Sequence, residues 1–310
     1  MATQNPIEIR DPADRRLDDF RDLTTADRRP DRPGGRGLVI AEGVPVVQRL
    51  LASPYRLRAV LGVASRIEAL ATELAGVWAL VYAAAAEVMA EVVGFHLNRG
   101  VLASADRLPM QSVEDLTGSA RRIAVLEGVN DHENLGSIFR NAAALGVDAV
   151  LLGPHCADPL YRRAVRVSMG HVLAVPFTEF ASSPAFLPGQ RCGSGPYGAA
   201  GSDKSPGAPS AAFSAWPGAI SALQALGFAV LALTPSMNAV ALRDVAPATH
   251  RPTAVLVGAE GPGLSQEALD LADLRVRIPM RPGVDSLNVA TVAAIAFAHL
   301  AEDLRPEPSE

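Results

Sequence analysis

The chain has 310 residues, of which 49% are hydrophobic and 20% charged, a composition typical of a globular protein with room for two domains. The formal net charge of −5 does not favour a nucleic-acid-binding protein, although a local basic face is sufficient to bind RNA. The sequence contains no uninterrupted apolar run of about 18 residues, so it offers no candidate membrane span.

The N-terminal third begins with a charged segment and continues as a small α/β pattern. Residues 1–35 mix Asp and Arg with almost no apolar periodicity, which predicts a flexible arm or a loosely packed first helix. Residues 36–107 then alternate strand and helix patterns. Strands are predicted at 37–40, 57–61 and 77–81, with helices at 46–51 and 86–93. We therefore expect a separate α/β domain at 36–107.

A linker is predicted at 108–120, and a second domain at 121–310. In this domain, apolar runs at 123–126 and 149–152 predict buried strands on either side of a helix at 135–145, an order that favours a parallel sheet. Further strands and a closing helix are predicted at 228–233, 254–257, 274–278 and 291–304. Residues 189–218 are rich in Gly, Ser, Pro and Ala, which predicts a disordered insertion.

Several common catalytic motifs are absent from the sequence. It has no Gly-x-x-x-x-Gly-Lys-Ser/Thr phosphate loop, no Gly-x-Gly-x-x-Gly after the strand at 123–126, and no Gly-x-Ser-x-Gly nucleophile elbow. The two cysteines, Cys156 and Cys192, have neither metal-ligand spacing nor the pattern of a disulfide framework. We therefore expect no metal site and a reducing, cytoplasmic location.

Three segments in the second half carry Gly, Asn and Pro in a fixed order. They are Asn-Leu-Gly-Ser-Ile-Phe-Arg-Asn-Ala at 134–142, Val-Gly-Ala-Glu-Gly-Pro-Gly-Leu at 257–264, and Ile-Pro-Met at 278–280 leading to Ser-Leu-Asn-Val-Ala at 286–290. Singly, each fits an ordinary helix cap or tight turn. Together, in this order, they resemble the three signature motifs of the SpoU family of RNA ribose methyltransferases.

This resemblance implies that S-adenosylmethionine donates a methyl group to a ribose 2′-hydroxyl of RNA without a metal. It implies catalytic roles for Asn134, Arg140, Glu260, Ser286 and Asn288, and cofactor contacts from Thr234, Gly258, Ile278, Met280 and Leu287. Arg140 is the implied activator of the hydroxyl. Because arginine is nearly always protonated, two roles stay open: proton acceptance with help from a phosphate, or stabilisation of the developing alkoxide.

A fourth segment, 159–171, contains Arg162, Arg163 and Arg166. A helix places Arg162 and Arg166 on one face, which is either a solvated basic face or a grip on RNA phosphates. SpoU proteins carry a similar Arg-rich stretch before Ser-Met-Gly, and this likeness favours RNA binding by the three arginines.

The resemblance also implies the architecture and the partners. It implies an α/β protein with a parallel-sheet SPOUT domain containing a trefoil knot, preceded at 36–107 by an L30e-like RNA-binding domain, and a homodimer. The preferred substrate is 23S-type ribosomal RNA, and transfer RNA is the alternative. A non-catalytic RNA-binding protein of the same fold is disfavoured by the intact Asn134, Arg140, Glu260 and Asn288. The separate N-terminal domain disfavours a small-molecule methyltransferase.

Overall fold

The computed structural model describes residues 5–23, 35–180, 216–246 and 251–301. The chain forms two compact units. The first unit comprises residues 1–109, 130–144 and 157–176, and the second comprises residues 110–129, 145–156 and 177–310. The units are therefore not sequential, in contrast to the predicted domains at 36–107 and 121–310.

The first unit contains a five-stranded mixed sheet with the strand order β1-β4-β3-β5-β2. Its strands are β1 (Ile7–Ile9), β2 (Leu38–Glu42), β3 (Leu57–Gly62), β4 (Leu80–Ala84) and β5 (Val101–Asp106). β1, β3 and β4 are parallel, whereas β5 is antiparallel to β2 and β3. The connecting helices are α1 (Val44–Leu51), α2 (Ala64–Glu68), α3 (Ala71–Leu74) and α4 (Ala86–Val93). The sequence pattern had predicted α1 and α4 but missed β1 and β5.

The described part of the N-terminal arm is packed, so the prediction of a flexible arm fails there. Leu17, Phe20 and Leu23 are fully buried in the core of the first unit, and a 3-10 helix spans Arg15–Phe20. Leu17 and Phe20, which are three residues apart, lie on one face of this 3-10 helix. The alternative prediction of a first helix is therefore closer to the structure than a flexible arm. Residues 1–4 and 24–34 of the predicted arm lie outside the described residues.

Two further helices, α6 (His132–Ala144) and α7 (Arg162–Val167), belong to the first unit. They approach closely because Gly136 has no side chain: a Cβ there would lie 2.7 Å from the carbonyl oxygen of Ala164. Asp131 begins α6, since its Oδ1 accepts hydrogen bonds from the backbone N–H groups of Glu133 and Asn134 at 3.0 and 2.8 Å. The cap is therefore Asp131, and the interpretation of Asn134 as a mere helix cap is wrong.

The second unit contains a seven-stranded parallel sheet with the order β10-β12-β9-β11-β6-β7-β8. Its strands are β6 (Arg122–Glu127), β7 (Ala149–Leu152), β8 (Phe177–Glu179), β9 (Ala229–Leu233), β10 (Val240–Ala241), β11 (Thr253–Gly258) and β12 (Leu274–Arg277). The predicted α/β class and parallel sheet are confirmed. The helices of this unit are α5 (Val113–Thr117), α8 (Ala219–Ala225), α9 (Gln266–Leu271) and α10 (Val289–Leu300).

The predicted linker at 108–120 contributes to the second unit. Val113, Leu116 and Ala120 are buried in its hydrophobic core, and the Ser112 hydroxyl caps α5 by accepting from the Asp115 N–H at 3.1 Å. The predicted insertion at 189–218 lies outside the described residues except for 216–218. Within the described ranges, no helix is long and apolar enough to cross a membrane.

Candidate functional site

The second unit contains a cavity of about 570 Å³ at the carboxyl ends of β9, β11 and β12. Ligands of open parallel sheets bind at this edge, and small-molecule sites typically have volumes of about 300–1,000 Å³. Eight of the predicted site residues line the cavity: Thr234, Gly258, Glu260, Ile278, Met280, Ser286, Leu287 and Asn288. The structure therefore brings the second and third motifs together around one space.

The loop at 258–264 turns back sharply at the end of β11. A Cβ at Gly258 would lie 2.6 Å from the carbonyl oxygen of Gly263 and even closer to the adjoining backbone atoms. The Gly263 N–H donates to the Ala259 carbonyl at 3.0 Å, and Gly261 and Gly263 have φ angles of +90° and +73°. Only glycine adopts such angles without strain. A side chain at Gly258 therefore displaces a loop that lines the cavity.

Glu260 and Asn288 join that loop to the start of α10. Glu260 Oε1 accepts from Asn288 Nδ2 at 3.0 Å and from the Val289 N–H at 3.3 Å. Asn288 Oδ1 in turn accepts from the N–H groups of Ala290 and Thr291 at 3.0 and 3.2 Å, so Asn288 is the N-cap of α10. A carboxylate at a helix N-terminus is stabilised by the helix dipole. Ser286 lines the same cavity but lies two residues before the cap.

Backbone and apolar groups complete the cavity. The Thr234 N–H donates to the Val276 carbonyl at 2.9 Å, which ties the segment after β9 to β12. Pro235, Leu264 and Val292 also line the cavity, although none of them was among the predicted site residues. Helical spacing offered a signal for Val292, because it lies one turn after Asn288 on α10. Leu264 is the last residue of the second motif at 257–264, and Pro235 directly follows the predicted contact Thr234, so their positions in the sequence were also a signal.

Asn134 and Arg140 lie on α6 of the first unit. Asn134 is half-buried and Arg140 is exposed. Among the described residues, the Arg140 guanidinium makes no ion pair and no side-chain hydrogen bond. A guanidinium with five N–H donors and no internal acceptor is well suited to bind an anionic ligand.

Positive charge in the first unit extends beyond Arg140. Arg49 on α1 donates through Nη1 to the carbonyls of Met169 and Pro45 at 2.9 and 3.3 Å, and it pairs with no carboxylate among the described residues. Burial, together with the positive charges of Arg49 and Arg140, lowers the pKa of His171. The first unit thus has a local region of uncompensated positive charge despite the negative net charge of the chain.

The three arginines of α7 differ in their partners. Glu42 is only 4% exposed; its Oε2 accepts from Arg162 Nη1 at 3.0 Å and lies 3.5 Å from Arg166 Nη1. Arg162 also lies over the ring of Phe95, 4.5 Å from its centroid. Arg163 instead pairs at the surface with Glu133, and both side chains are 54% exposed. Separating an exposed ion pair of this kind costs less than about 1 kcal/mol of free energy. Separating Glu42 from its arginines would leave a buried carboxylate without a partner, which is strongly destabilising.

A metal-binding cluster or a reactive thiol within the described ranges would be an alternative functional group of this protein. These ranges contain no group of three or more His, Cys, Asp and Glu side chains arranged to hold a metal ion. Burial raises the pKa of the Cys156 thiol to about 11, and its sulfur donates to the Leu126 carbonyl at 3.3 Å. Since the thiolate is the reactive form, Cys156 is a structural residue.

Comparisons with known proteins identify the family. Residues 121–193 and 197–298 match the model of the SpoU rRNA Methylase family. An uncharacterized tRNA/rRNA methyltransferase of Mycobacterium tuberculosis is 54% identical over 291 residues, covering 94% of this chain and 90% of that protein. The 23S rRNA (guanosine(2553)-2′-O)-methyltransferase RlmP of Bacillus subtilis is 27% identical over 191 residues, or 60% of each chain.

Solved structures show the same fold. The AdoMet-bound rRNA methyltransferase from Sinorhizobium meliloti matches with a TM-score of 0.69 at 22% identity, covering 94% of this chain and 96% of that one. The SpoU methyltransferase AviRb from Streptomyces viridochromogenes, in complex with AdoMet, matches with a TM-score of 0.67 at 20% identity over 93% and 97%. The predicted resemblance is thereby confirmed, and because the family model matches more than half of its length, the chain belongs to the SpoU rRNA methylase family.

Proposed function

We propose that this protein is an S-adenosylmethionine-dependent RNA methyltransferase that modifies a ribose 2′-hydroxyl. The observation that carries the proposal is the cavity at the sheet edge, where the second and third motifs meet. Its volume of about 570 Å³ suits a nucleoside-sized ligand. Two solved structures of the same fold, from Sinorhizobium meliloti and Streptomyces viridochromogenes, contain AdoMet. When bound, this cofactor supplies an electrophilic methyl group on a sulfonium.

The residues that line the cavity fit such a cofactor in kind. The Gly258 turn allows backbone to approach a ligand closely, and Ile278, Met280 and Leu287 supply apolar surface for an adenine ring. Thr234 adds a polar group on the neighbouring strand end. Glu260 adds negative charge to the lining, which complements a sulfonium cation. Asn288 caps the N-terminus of α10, and Ser286 lines the cavity two residues before this cap.

Arg140 acts on the ribose hydroxyl in this proposal. Of the two open roles, we assign the electrostatic one, because a guanidinium stays protonated at neutral pH. Arg140 binds the 2′-oxygen and stabilises its negative charge as the proton passes to solvent. Its exposure, and the lack of an ion-pair partner among the described residues, support this role. Asn134 lies six residues earlier on α6 and orients the same ribose.

The first unit supplies the RNA contacts. Arg49 and Arg163 are the most suitable phosphate ligands, because neither is engaged by a buried carboxylate. Arg162 and Arg166 act indirectly by holding α7 against Glu42. The similarity to RlmP, a 23S rRNA 2′-O-methyltransferase, supports 23S ribosomal RNA as substrate, and transfer RNA is the alternative. The L30e-like character of the first sheet, the trefoil knot and the homodimer remain predictions from the resemblance.

Substitution of Arg140 tests the proposal. Arg140→Ala should lower the rate of methyl transfer by roughly 100- to 1,000-fold, the usual cost of a lost electrostatic stabiliser. The dissociation constant for S-adenosylmethionine, measured by titration calorimetry, should change by less than about twofold. Arg140→Lys keeps the charge and should recover part of the rate. Equal loss of rate and cofactor affinity in Arg140→Ala contradicts the assigned role and makes Arg140 a structural residue.

A further inference from the structure

Glu127 is the last residue of β6 and does not line the cavity. Both of its carboxylate oxygens nevertheless accept hydrogen bonds, one of them from the residue that follows Leu264 of the cavity lining. Oε1 accepts from the indole Nε1–H of Trp216 at 2.6 Å, and Oε2 accepts from the backbone N–H of Ser265 at 2.9 Å. In the sheet register, Glu127 is also the direct neighbour of Gly258 on β11. Glu127 thus contacts both ends of the cofactor loop at 258–264. It pairs with Gly258, the first residue of the loop, in the sheet, and it accepts a hydrogen bond from Ser265, the residue after the loop.

Each partner of Glu127 is fixed by independent contacts. Ser265 is the N-cap of α9, and it follows Leu264, which lines the cavity and is 7% exposed. Trp216 is the first described residue after Phe180, and the two ring centroids lie 5.6 Å apart. Gly153 lies beside the indole, since a Cβ built there would be 3.6 Å from Trp216 Cδ2, an ordinary van der Waals distance. The indole therefore has fixed contacts with both Glu127 and Phe180.

We propose that Glu127 is a positioning residue for the cofactor loop, and that Trp216 sets the orientation of the Glu127 carboxylate. Hydrogen bonds to an ionised carboxylate are about twice as strong as neutral ones. Without the indole, Oε1 lacks that donor, and the carboxylate is free to rotate away from Ser265. The loop then loses its anchor at residue 265, and the cavity loses its shape. The inference rests on the proposed function only in taking the ligand of this loop to be S-adenosylmethionine.

Two conservative substitutions test the pair. Trp216→Phe keeps an aromatic ring beside Phe180 but removes the N–H, and Glu127→Gln replaces one acceptor oxygen with a donor. Each should raise the dissociation constant for S-adenosylmethionine about tenfold in titration calorimetry. Methyl transfer at saturating cofactor should stay within about threefold of wild type, since Arg140 is untouched. The double variant should lose no more affinity than the worse single variant, because both changes break one connection.

The chain offers a matched control, because its other tryptophan, Trp78, is 93% exposed in the first unit. Trp78→Phe should leave the dissociation constant within twofold of wild type. It also leaves Trp216 as the single tryptophan, so its fluorescence reports on the Glu127 contact. Titration of Trp78→Phe with S-adenosylmethionine should shift this emission with the same dissociation constant that calorimetry gives. A pair that only stabilises the fold would not respond to the cofactor.

The outcomes separate this inference from the proposed function. Unchanged cofactor affinity in folded Trp216→Phe and Glu127→Gln would overturn the positioning role. So would an unchanged Trp216 emission in Trp78→Phe under conditions where calorimetry shows that the cofactor binds. If the two variants do not fold, the emission of Trp78→Phe decides the question alone. Failure of wild-type protein to bind the cofactor contradicts the proposed function itself.

Discussion

Gly258 was recognisable in the sequence as a motif residue, but only the structure shows why glycine is required at this position. The Gly-rich pattern predicted a turn that approaches a ligand, and the cavity lining includes that turn. The reason for glycine at this position is the backbone of Gly263 and Leu264, which occupies the place of a side chain. No pattern in the sequence shows that the loop folds back onto its own first residue.

Gly258→Ala should therefore weaken S-adenosylmethionine binding by at least tenfold, because the new methyl group displaces the loop at 258–264. Titration calorimetry measures the effect. Gly118→Ala is the control in the same unit, since Gly118 has an ordinary φ of −62°. Its new Cβ would lie 3.3 Å from the Glu114 carbonyl oxygen, a tight contact but a much longer one than the 2.3 Å at Gly258. Normal cofactor affinity in Gly258→Ala would remove this loop from the binding site.

Arg162 and Arg166 illustrate the limit of prediction at single residues. Their four-residue spacing correctly suggested a shared helix face. Their partner, Glu42, lies 120 residues earlier in the chain, and no local pattern indicates such a contact. Both arginines are paired with the buried Glu42, although the side chain of Arg166 stays 36% exposed. Arg163, between them in sequence, remains at the surface.

At the scale of elements, the N-terminal segment is held by both burial and charge. Asp19, in the 3-10 helix at Arg15–Phe20, accepts from Arg58 Nε at 2.7 Å, from Arg58 Nη2 at 3.0 Å and from the Ser104 hydroxyl at 3.0 Å. Charged residues in this segment suggested disorder, yet one of them forms a bidentate pair with β3. Composition alone does not distinguish a solvated Asp from one with a fixed partner.

Asp19→Asn should lower the free energy of unfolding in urea by about 1–3 kcal/mol, because hydrogen bonds to a charged group are lost. Burial raises the pKa of Asp19, but the hydrogen bonds from Arg58 and Ser104 outweigh it and lower the pKa overall. The stabilisation is therefore present above about pH 4 and is lost as the pH falls further.

The neighbouring Asp18 provides the control for this prediction. Its pair with Arg21 is largely exposed, so Asp18→Asn should cost less than about 1 kcal/mol. The difference between wild type and Asp19→Asn should shrink as the pH approaches 3. A difference that stays constant from pH 7 to pH 3 would show that the charge of Asp19 does not contribute to stability.

At the scale of the whole molecule, the parallel sheet was predictable and the division into units was not. Short apolar runs gave β6, β7, β9, β11 and β12 nearly to the residue, because buried parallel strands have few polar side chains. The assignment of α6 and α7 to the first unit depends on contacts such as Gly136 against Ala164. The net charge of −5 likewise conceals the positive region around Arg49 and Arg140.

The exposed Arg163 of the first unit predicts a salt-dependent interaction with RNA. Arg163→Gln should weaken RNA binding and reduce the slope of log affinity against log salt by about 0.7–0.9, the value expected for one lost phosphate contact. Arg10→Gln removes the same charge from an 84% exposed side chain of the first unit and should leave the slope unchanged. Filter binding between 50 and 300 mM salt, roughly the range over which such slopes are resolved, gives both values. An unaltered slope in Arg163→Gln contradicts its role as a phosphate ligand.

Nucleoside analysis of the product tests methyl transfer to a ribose most directly. Purified protein is incubated with methyl-labelled S-adenosylmethionine and unmodified ribosomal or transfer RNA, and the RNA is then digested to nucleosides. We predict that the label appears in one 2′-O-methylated nucleoside from 23S ribosomal RNA, and that Arg140→Ala slows its appearance by roughly 100- to 1,000-fold. Label found on a base, or RNA that binds the protein and gains no label, would contradict ribose methylation.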